Sequence, residues 1–207
     1  MTTDAGQPFP LMQRDQWWVI RGEGFPLVCN GGPESEVMTI WGLESPASLS
    51  PGGQPLFEVH ASLSPNVNTA AAGDVLEAVA EAARAFWAHA TPFDASSDLV
   101  RQAKGPHETE APPRGLPPIK RLEDIPSPEI PYYVGWLNYW SAAAAQAIGF
   151  PDPERDGDLL SRARRTASGG WLVRLTDEPL ELDTPAHLDA LKRTYERFPR
   201  IGGRSSS

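Results

Sequence analysis

The sequence predicts an α+β fold, in which an antiparallel or mixed sheet carries three or more packed helices and the chain includes one long proline-rich loop. Three observations lead to this prediction. Short apolar runs of strand type are separated by Gly, Pro and Asn turn signals in residues 17–63. Apolar residues then recur at helical spacing from Val75 onward. Residues 104–131 contain eight prolines, which regular structure does not tolerate.

Size and composition favour a single domain over residues 1–207. A chain of 207 residues can bury a full core, and its 40% hydrophobic content is too high for a disordered protein. No apolar run approaches the ~18 residues that span a membrane, and no secretory signal is visible. The lone cysteine, Cys29, excludes a disulfide scaffold and favours a cytoplasmic location. We expect residues 1–15 to be frayed and residues 199–207 to form a flexible tail.

The negative charge is concentrated in the first half of the sequence. Residues 1–100 hold 12 acidic and 3 basic residues, whereas residues 101–207 hold 15 of each, so the net charge of −9 lies in the first half. Binding to nucleic acid or to anionic lipid needs a basic surface, and the composition argues against both. An acidic surface favours a basic protein partner, although solubility alone also accounts for such a charge.

Three strands are predicted in the first half, at residues 17–21, 37–43 and 56–63. In the third strand, alternation places Phe57, Val59 and Ala61 on one face of the sheet. The other face then carries Glu58 and His60, together with Ser62. The third strand is therefore expected to present an apolar face and a polar face.

A helix is predicted to follow the strands. Asp74 is a favourable N-cap residue, and Glu77 three residues later completes a capping box. Apolar side chains recur on one stripe after it, and the alanine-rich composition extends the helix to about residue 90. His89 would then lie on the helix surface or at its boundary.

The proline-rich segment, residues 104–131, is predicted to lack helix and strand, because proline fixes φ and removes a backbone donor. We expect it to lie extended on the surface as a long loop within one domain. A linker between domains is the alternative, but only 76 residues follow it. A loop of this kind predicts that deleting about ten residues around Ala111 to Pro118 leaves the melting curve nearly unchanged.

The C-terminal part begins with five aromatic residues in the ten positions from Tyr132 to Ser141. Residues 133–139 suit a central strand with Trp136 in the core, although an aromatic surface for ligand stacking is the alternative. A helix is predicted over residues 142–148, ended by Gly149, and a short helix from Asp156 or Asp158 through Arg164. A turn at residues 168–170 and a strand over residues 171–175 follow. The last predicted helix has Thr184 as its cap and Pro185 as its first residue.

Residues with catalytic or metal-binding chemistry are scattered. Cys29 could form a thiol site with His60 and Asn66 or Asp74, but no nucleophile signature surrounds it. No histidines pair at helical spacing for zinc, and the acidic run over residues 152–158 lacks the terminal Glu of a calcium loop. The sequence therefore predicts no catalytic residue, cofactor or metal. Two alternatives stay open: a small enzyme using Cys29 and His60, and a ligand-binding module using the aromatic strand 132–140.

The segments PYYVGWLNYWS, AIGFPDPERD and RRTASGGWLVRLTDEPLELDTPAHLDALKRTYERFPRIGGR resemble the domain-of-unknown-function 5953 family, which we associate with myxobacteria. The order of elements also resembles the immunity protein 52 family, whose "GW-L-Y-S" segment matches Gly135, Trp136, Leu137, Tyr139 and Ser141.

The second resemblance implies a cytoplasmic antitoxin without catalytic residues, which binds and neutralises a polymorphic toxin domain, often a nuclease, encoded nearby. An acidic inhibitor suits a basic nuclease because it can mimic phosphate. We expect the toxin-binding face to come from residues 23–60, with Glu34, Glu36, Glu44 and Glu58 as candidates. Neither nucleic acid nor membrane is an expected partner.

Overall fold

The computed structural model describes residues 24–29, 38–63, 69–103 and 111–204. The strands in these residues are β1 (Gly24–Cys29), β2 (Met38–Ser45), β3 (Leu56–Leu63), β4 (Trp87–Ala90), β5 (Leu137–Trp140), β6 (Ala163–Arg165) and β7 (Trp171–Arg174). The α-helices are α1 (Thr69–Ala82), α2 (Phe93–Val100), α3 (Ala142–Ile148), α4 (Gly157–Ser161) and α5 (Pro185–Arg197). Both sheets are antiparallel, so the predicted α+β class is confirmed.

The first sheet has three strands in the order β1-β2-β3. β2 and β3 pair without interruption from Met38 opposite Leu63 to Ser45 opposite Leu56. The pairing of β1 shifts between Phe25 and Val28, where Pro26 has no backbone N–H to donate. The predicted strands at residues 37–43 and 56–63 are confirmed, whereas the one at residues 17–21 lies outside the described residues.

The second sheet has four strands in the order β4-β5-β7-β6, so the aromatic strand β5 is internal as predicted. It begins at Leu137 and not at residue 133. The Asn138 side chain explains the late start, because its Oδ1 accepts from the Gly135 N–H at 2.8 Å and its Nδ2 donates to the Gly135 carbonyl at 3.0 Å. This local turn replaces ladder hydrogen bonds before the strand.

Helix α1 differs from its prediction at both ends. It begins at Thr69, so Asp74 lies inside the helix and does not cap it. It ends at Ala82, where Arg84 adopts a φ of 51° and turns the chain. Residues 87–90, predicted as helix, form β4 and pair with β5, Trp87 opposite Trp140. Tertiary pairing with a buried strand outweighs the helical preference of an alanine-rich segment.

The C-terminal elements follow their predictions closely. Ser141 caps α3 by accepting a hydrogen bond from the Ala144 N–H at 3.1 Å, and Gly149 ends it with a φ of 76°. Pro185 opens α5, as expected, but the predicted cap Thr184 makes no side-chain hydrogen bond to the helix, and its hydroxyl donates to Glu181 instead. The predicted short helix through Arg164 is shorter, because the chain after Ser161 pairs with β7 as β6.

In its described part, residues 111–131, the proline-rich segment has neither α-helix nor a strand, as predicted. It forms 3₁₀ turns at Pro113–Gly115 and Leu122–Asp124 and a single bridge from Ile119 to Ala103. The predicted surface location is wrong, however, because four apolar side chains between the prolines are 4% exposed or less: Leu116, Ile119, Ile125 and Ile130. Proline removes donors, but it does not prevent its neighbours from entering the core.

The expectation of a flexible tail from residue 199 is wrong for residues 199–204. Ile201 is fully buried, and the Gly202 N–H donates to the Pro131 carbonyl at 2.9 Å. Gly202 has a φ of 69°, and a Cβ atom there would collide with Ile119. The positive φ and the close approach of the Ile119 side chain both require glycine at this position. Residues 201–203 are thus fixed against the proline-rich segment.

The core lies between the second sheet, α3, α5 and the proline-rich segment, and includes Trp140, Leu191, Tyr195 and Phe198. Trp140 packs edge to face against Phe150 and Phe198, with ring centroids 5.1 and 5.5 Å apart. Among the described residues, no helix combines the length and the apolar character needed to cross a membrane.

Candidate functional site

Two of the four predicted acidic residues, Glu44 and Glu58, lie on opposite faces of the first sheet. The cross-strand partner of Glu44 is Phe57, whereas that of Glu58 is Leu43. Successive residues of a strand point to opposite sides, so adjacent strands place these two carboxylates apart. Glu34 and Glu36 lie outside the described residues. The expected single acidic face is therefore not formed by Glu44 and Glu58 together.

Glu58 is engaged within the molecule. The Ser45 hydroxyl donates to its Oε1 at 2.7 Å, and the His60 Nε2 lies 3.5 Å from its Oε2. Hydrogen bonds from His60 and Ser45 hold the pKa of the Glu58 carboxyl below its ordinary value. A carboxylate that already has these partners offers little to another protein.

The face that carries Glu44 is more open, and we call it the outer face: Ile40, Gly42, Glu44, Phe57, Val59 and Ala61. The Phe57 side chain is 53% exposed and lies directly opposite the exposed Glu44. Alternation correctly grouped Phe57, Val59 and Ala61 on one face. It did not show that this apolar face points towards solvent at Phe57.

Ion pairs join the acidic first half to the second half. Arg164 binds Asp74 at 2.6 Å and also pairs with Glu77. Arg114 binds Asp98 at 2.5 Å and Asp183 at 2.6 Å. The charge split along the sequence is therefore partly cancelled in the folded molecule, because basic residues of the second half lie against acidic residues of the first.

Cys29 and His60 are not brought together as a catalytic pair by the register of the sheet. Cys29 lies opposite Thr39, which lies opposite Ser62, so two strand spacings, or ~10 Å, separate Cys29 from the strand of His60. Within the described residues, no group of three His, Cys, Asp or Glu side chains could hold a metal ion.

The sequence suggested that His89 lies on a helix surface or at a helix boundary. In the structure it lies on β4. Its ring contacts Tyr133 with centroids 5.7 Å apart, and its Nδ1 lies 3.2 Å from the Thr91 hydroxyl. Burial, reinforced by the neighbouring His60, lowers the pKa of His89 to about 4. His89 is therefore a neutral imidazole at physiological pH, and the charge of His60 on the first sheet is near enough to affect it.

The acidic run at residues 152–158 has a structural role in part. Within this run, the Asp156 side chain is buried, with 1% of its surface exposed. Arg197 donates to both of its carboxylate oxygens, at 2.6 and 3.0 Å, and the Asp152 N–H donates to it at 2.7 Å. This ion pair anchors α5 to the start of α4.

The aromatic strand is a core element, as expected for Trp136, which is 6% exposed and donates from Nε1 to the Thr176 carbonyl at 3.0 Å. Tyr139 differs from its neighbours, because its hydroxyl reaches out of the core. It lies 3.2 Å from Glu81 Oε1 and 3.3 Å from the Ser168 hydroxyl.

Tyr139 is one of the residues that line an open cleft of about 320 Å³, which we call the α1 cleft. Its lining residues are Glu81, Arg84, Ala85, Phe86, Tyr139, Ser141, Ala142, Ala143 and Ser168. Ser168 donates to Glu81 Oε1 at 2.6 Å. Hydrogen bonds from Ser168, Thr166 and Tyr139 hold the pKa of Glu81 below its ordinary value, so this carboxylate is charged at neutral pH.

Sequence reasoning missed the α1 cleft because it depends on where α1 ends. A helix continued to residue 90 would place Glu81 and Arg84 on a regular surface, without a turn between them. The available signal is the "GW-L-Y-S" segment, since its last two residues, Tyr139 and Ser141, both line the cleft.

Comparison with protein families identifies the family of this chain. A family model described as "Domain of unknown function (DUF5953)" matches residues 1–206. No curated protein and no solved structure matches the chain.

Proposed function

The chain belongs to the DUF5953 family, and we propose that it is an immunity protein, which binds and neutralises a basic toxin domain through the outer face of its first sheet. The toxin, a nuclease in the simplest case, would be encoded by a neighbouring gene. The protein would act in the cytoplasm, where the single Cys29 stays reduced. Inhibition by binding needs no catalytic residue in the inhibitor.

The observation that carries this proposal is the pairing of Phe57 with Glu44 on adjacent strands. A large aromatic side chain that is 53% exposed on a regular strand is a suitable anchor for an interface, since aromatic residues dominate binding energy at protein interfaces. The exposed carboxylate directly opposite it supplies a charge that a basic partner would meet.

Charge also supports the proposal, although fewer acidic residues contribute to it than the sequence suggested. Asp74, Glu77 and Asp98 are already paired with arginines, so they contribute little to attraction. Glu44 has no ion pair among the described residues. The proposed acidic contribution therefore rests on Glu44, together with Glu34 and Glu36, and no longer on Glu58.

The test is growth of cells that express the neighbouring toxin domain, with and without this protein, followed by binding kinetics with the purified toxin. We expect protection, and we expect Phe57→Ala to weaken the complex by about tenfold or more. Glu44→Gln should slow association, as should raising the salt concentration, because exposed charges are screened over ~8 Å at physiological ionic strength.

Matched controls are available on other surfaces. Phe93→Ala removes an aromatic side chain that is 85% exposed on α2, and Glu178→Gln removes an exposed carboxylate, and neither should change binding. Absence of both protection and complex formation would refute the immunity function. Protection that is unaffected by Phe57→Ala and Glu44→Gln would leave the function standing and place the interface elsewhere.

A further inference from the structure

The α1 cleft contains two opposite charges that do not neutralise each other. Glu81 and Arg84 both line it, yet no ion pair joins them. Glu58 has a partner at each carboxylate oxygen, whereas the hydrogen bonds from Ser168 and Tyr139 both reach Oε1 of Glu81. Arg84 makes neither an ion pair nor a side-chain hydrogen bond within the described part of the chain. The cleft therefore offers a carboxylate and a guanidinium to a molecule that enters it.

The rest of the lining is largely apolar, and the cleft is small. Phe86, Ala142 and Ala143 form its walls, and its volume of about 320 Å³ is at the lower end of the range for small-molecule sites. The two charged side chains start from neighbouring backbone positions, because the Arg84 N–H donates to the Glu81 carbonyl at 3.1 Å. The small volume and the shared turn favour a small ligand that carries both of its charges close together.

Simple ions are disfavoured by this arrangement. An anion at Arg84 would be repelled by Glu81, and a cation at Glu81 would be repelled by Arg84. A molecule that carries both charges gains from both side chains and leaves neither unpaired. We propose that the α1 cleft binds a free α-amino acid with an apolar side chain, with the ammonium group held by Glu81 and the carboxylate held by Arg84.

The backbone conformation of Arg84 also supports the proposal. Its φ of 51° lies in the left-handed region, where glycine would be accommodated without strain. A glycine there would turn the chain equally well but could not bind a carboxylate. An arginine in this conformation is consistent with a use for its guanidinium.

Isothermal titration calorimetry of the full chain with L-alanine, L-valine, L-leucine and L-phenylalanine tests the proposal. We expect saturable binding of at least one of them. For L-leucine, the matched controls are 4-methylpentanoate, which lacks the ammonium group, and 3-methylbutylamine, which lacks the carboxylate. Glu81→Gln and Arg84→Gln should each weaken binding by about tenfold or more, which is the loss expected when one charged contact is removed.

Control variants keep the test specific. Arg101→Gln and Glu178→Gln change exposed charges outside the cleft and should bind as the unmodified protein does. If Glu81→Gln or Arg84→Gln loses its fold, as circular dichroism would show, Ala142→Phe narrows the cleft from the exposed first turn of α3 and should abolish binding.

The proposal is wrong if none of the four amino acids binds at millimolar concentration, or if 4-methylpentanoate binds as tightly as L-leucine. Tighter binding of the tripeptide Leu-Gly-Gly than of L-leucine would also refute it and would assign the cleft to the end of a polypeptide. None of these readouts involves a toxin, so their outcome is independent of the immunity function.

Discussion

The two sheets of this protein place similar residues in opposite environments. All four residues of β5 in the second sheet are buried, including Tyr139 and Trp140. In the first sheet, Phe57 is 53% exposed and Leu43 is 44% exposed. Of the strand side chains described there, at residues 40, 42–45 and 56–61, none belongs to the buried core.

The difference comes from what covers each sheet. Helices α3 and α5 and the proline-rich segment enclose the second sheet. The loop between β2 and β3 fastens the first sheet to the same segment, where the Gly52 N–H donates to the Ile125 carbonyl at 2.9 Å. An apolar strand is therefore a core element only where other elements reach it. We infer that the second sheet supplies stability and the first supplies surface.

The sharpest test of this comparison truncates one aromatic residue for each sheet, Trp136 immediately before β5 and Phe57 within β3. Trp136→Ala should lower the free energy of unfolding by ~3–5 kcal/mol, because it opens a cavity and leaves the Thr176 carbonyl without its donor. Phe57→Ala should lower it by much less than Trp136→Ala, because more than half of the Phe57 side chain is exposed. Urea unfolding measures both, and comparable losses would show that the first sheet is also core.

A second test concerns the proline-rich segment, which belongs with the second sheet. Leu116→Ala should cost ~2–5 kcal/mol, since Leu116 is 2% exposed, and deleting residues 111–118 should cost more. Leu49→Ala, at a side chain that is 55% exposed in the β2–β3 loop, should change the free energy of unfolding by less than ~0.5 kcal/mol. An unchanged melting curve after the deletion would contradict this prediction and show that the segment is a surface loop.

A smaller effect is expected at His89. Burial lowers the pKa of His89 from 6.5 to about 4. Between these two pH values the imidazole is protonated in the unfolded chain and neutral in the folded chain. Above about pH 7 His89 is neutral in both states and has no effect. As the pH falls from 6.5 towards 4, stability should decline, by at most ~1.4 kcal/mol per pH unit.

Urea unfolding at pH 7, 6 and 5 measures this decline. His89→Gln should flatten it, because glutamine does not titrate. An identical slope in the variant would mean that His89 is hydrated in the folded protein.

Much of the second half could be predicted from sequence. Helix α3 appeared at the expected residues, where the Ser141 hydroxyl caps it and Gly149 ends it. Helix α5 began at Pro185, as expected for a proline in the first turn. Each of these signals acts within one turn of its helix, so each can be found from local sequence. Strand β3 matched residues 56–63 for a similar reason, since alternation is a property of neighbouring residues. The resemblance to the DUF5953 family was also confirmed.

The candidate sites were less predictable. Glu44 and Glu58 were both chosen for their charge, but the pairing of β2 with β3 decided that one faces outward and the other faces Ser45 and His60. The hydrogen bond from Ser168 to Glu81 joins residues 87 positions apart, which no local pattern reveals.

The sequence by itself determined the fold class and those elements whose start, stop or facing signals lie within a few residues. Only the tertiary structure decided that residues 87–90 form a strand, that Leu116 and Ile201 enter the core and that Arg84 opens a cleft. The physical reason is that these outcomes depend on partners distant in the chain. Pairing with β5 stabilises the strand at residues 87–90, and burial in the core stabilises Leu116 and Ile201. Both effects outweigh the local preferences of alanine, proline and a chain terminus.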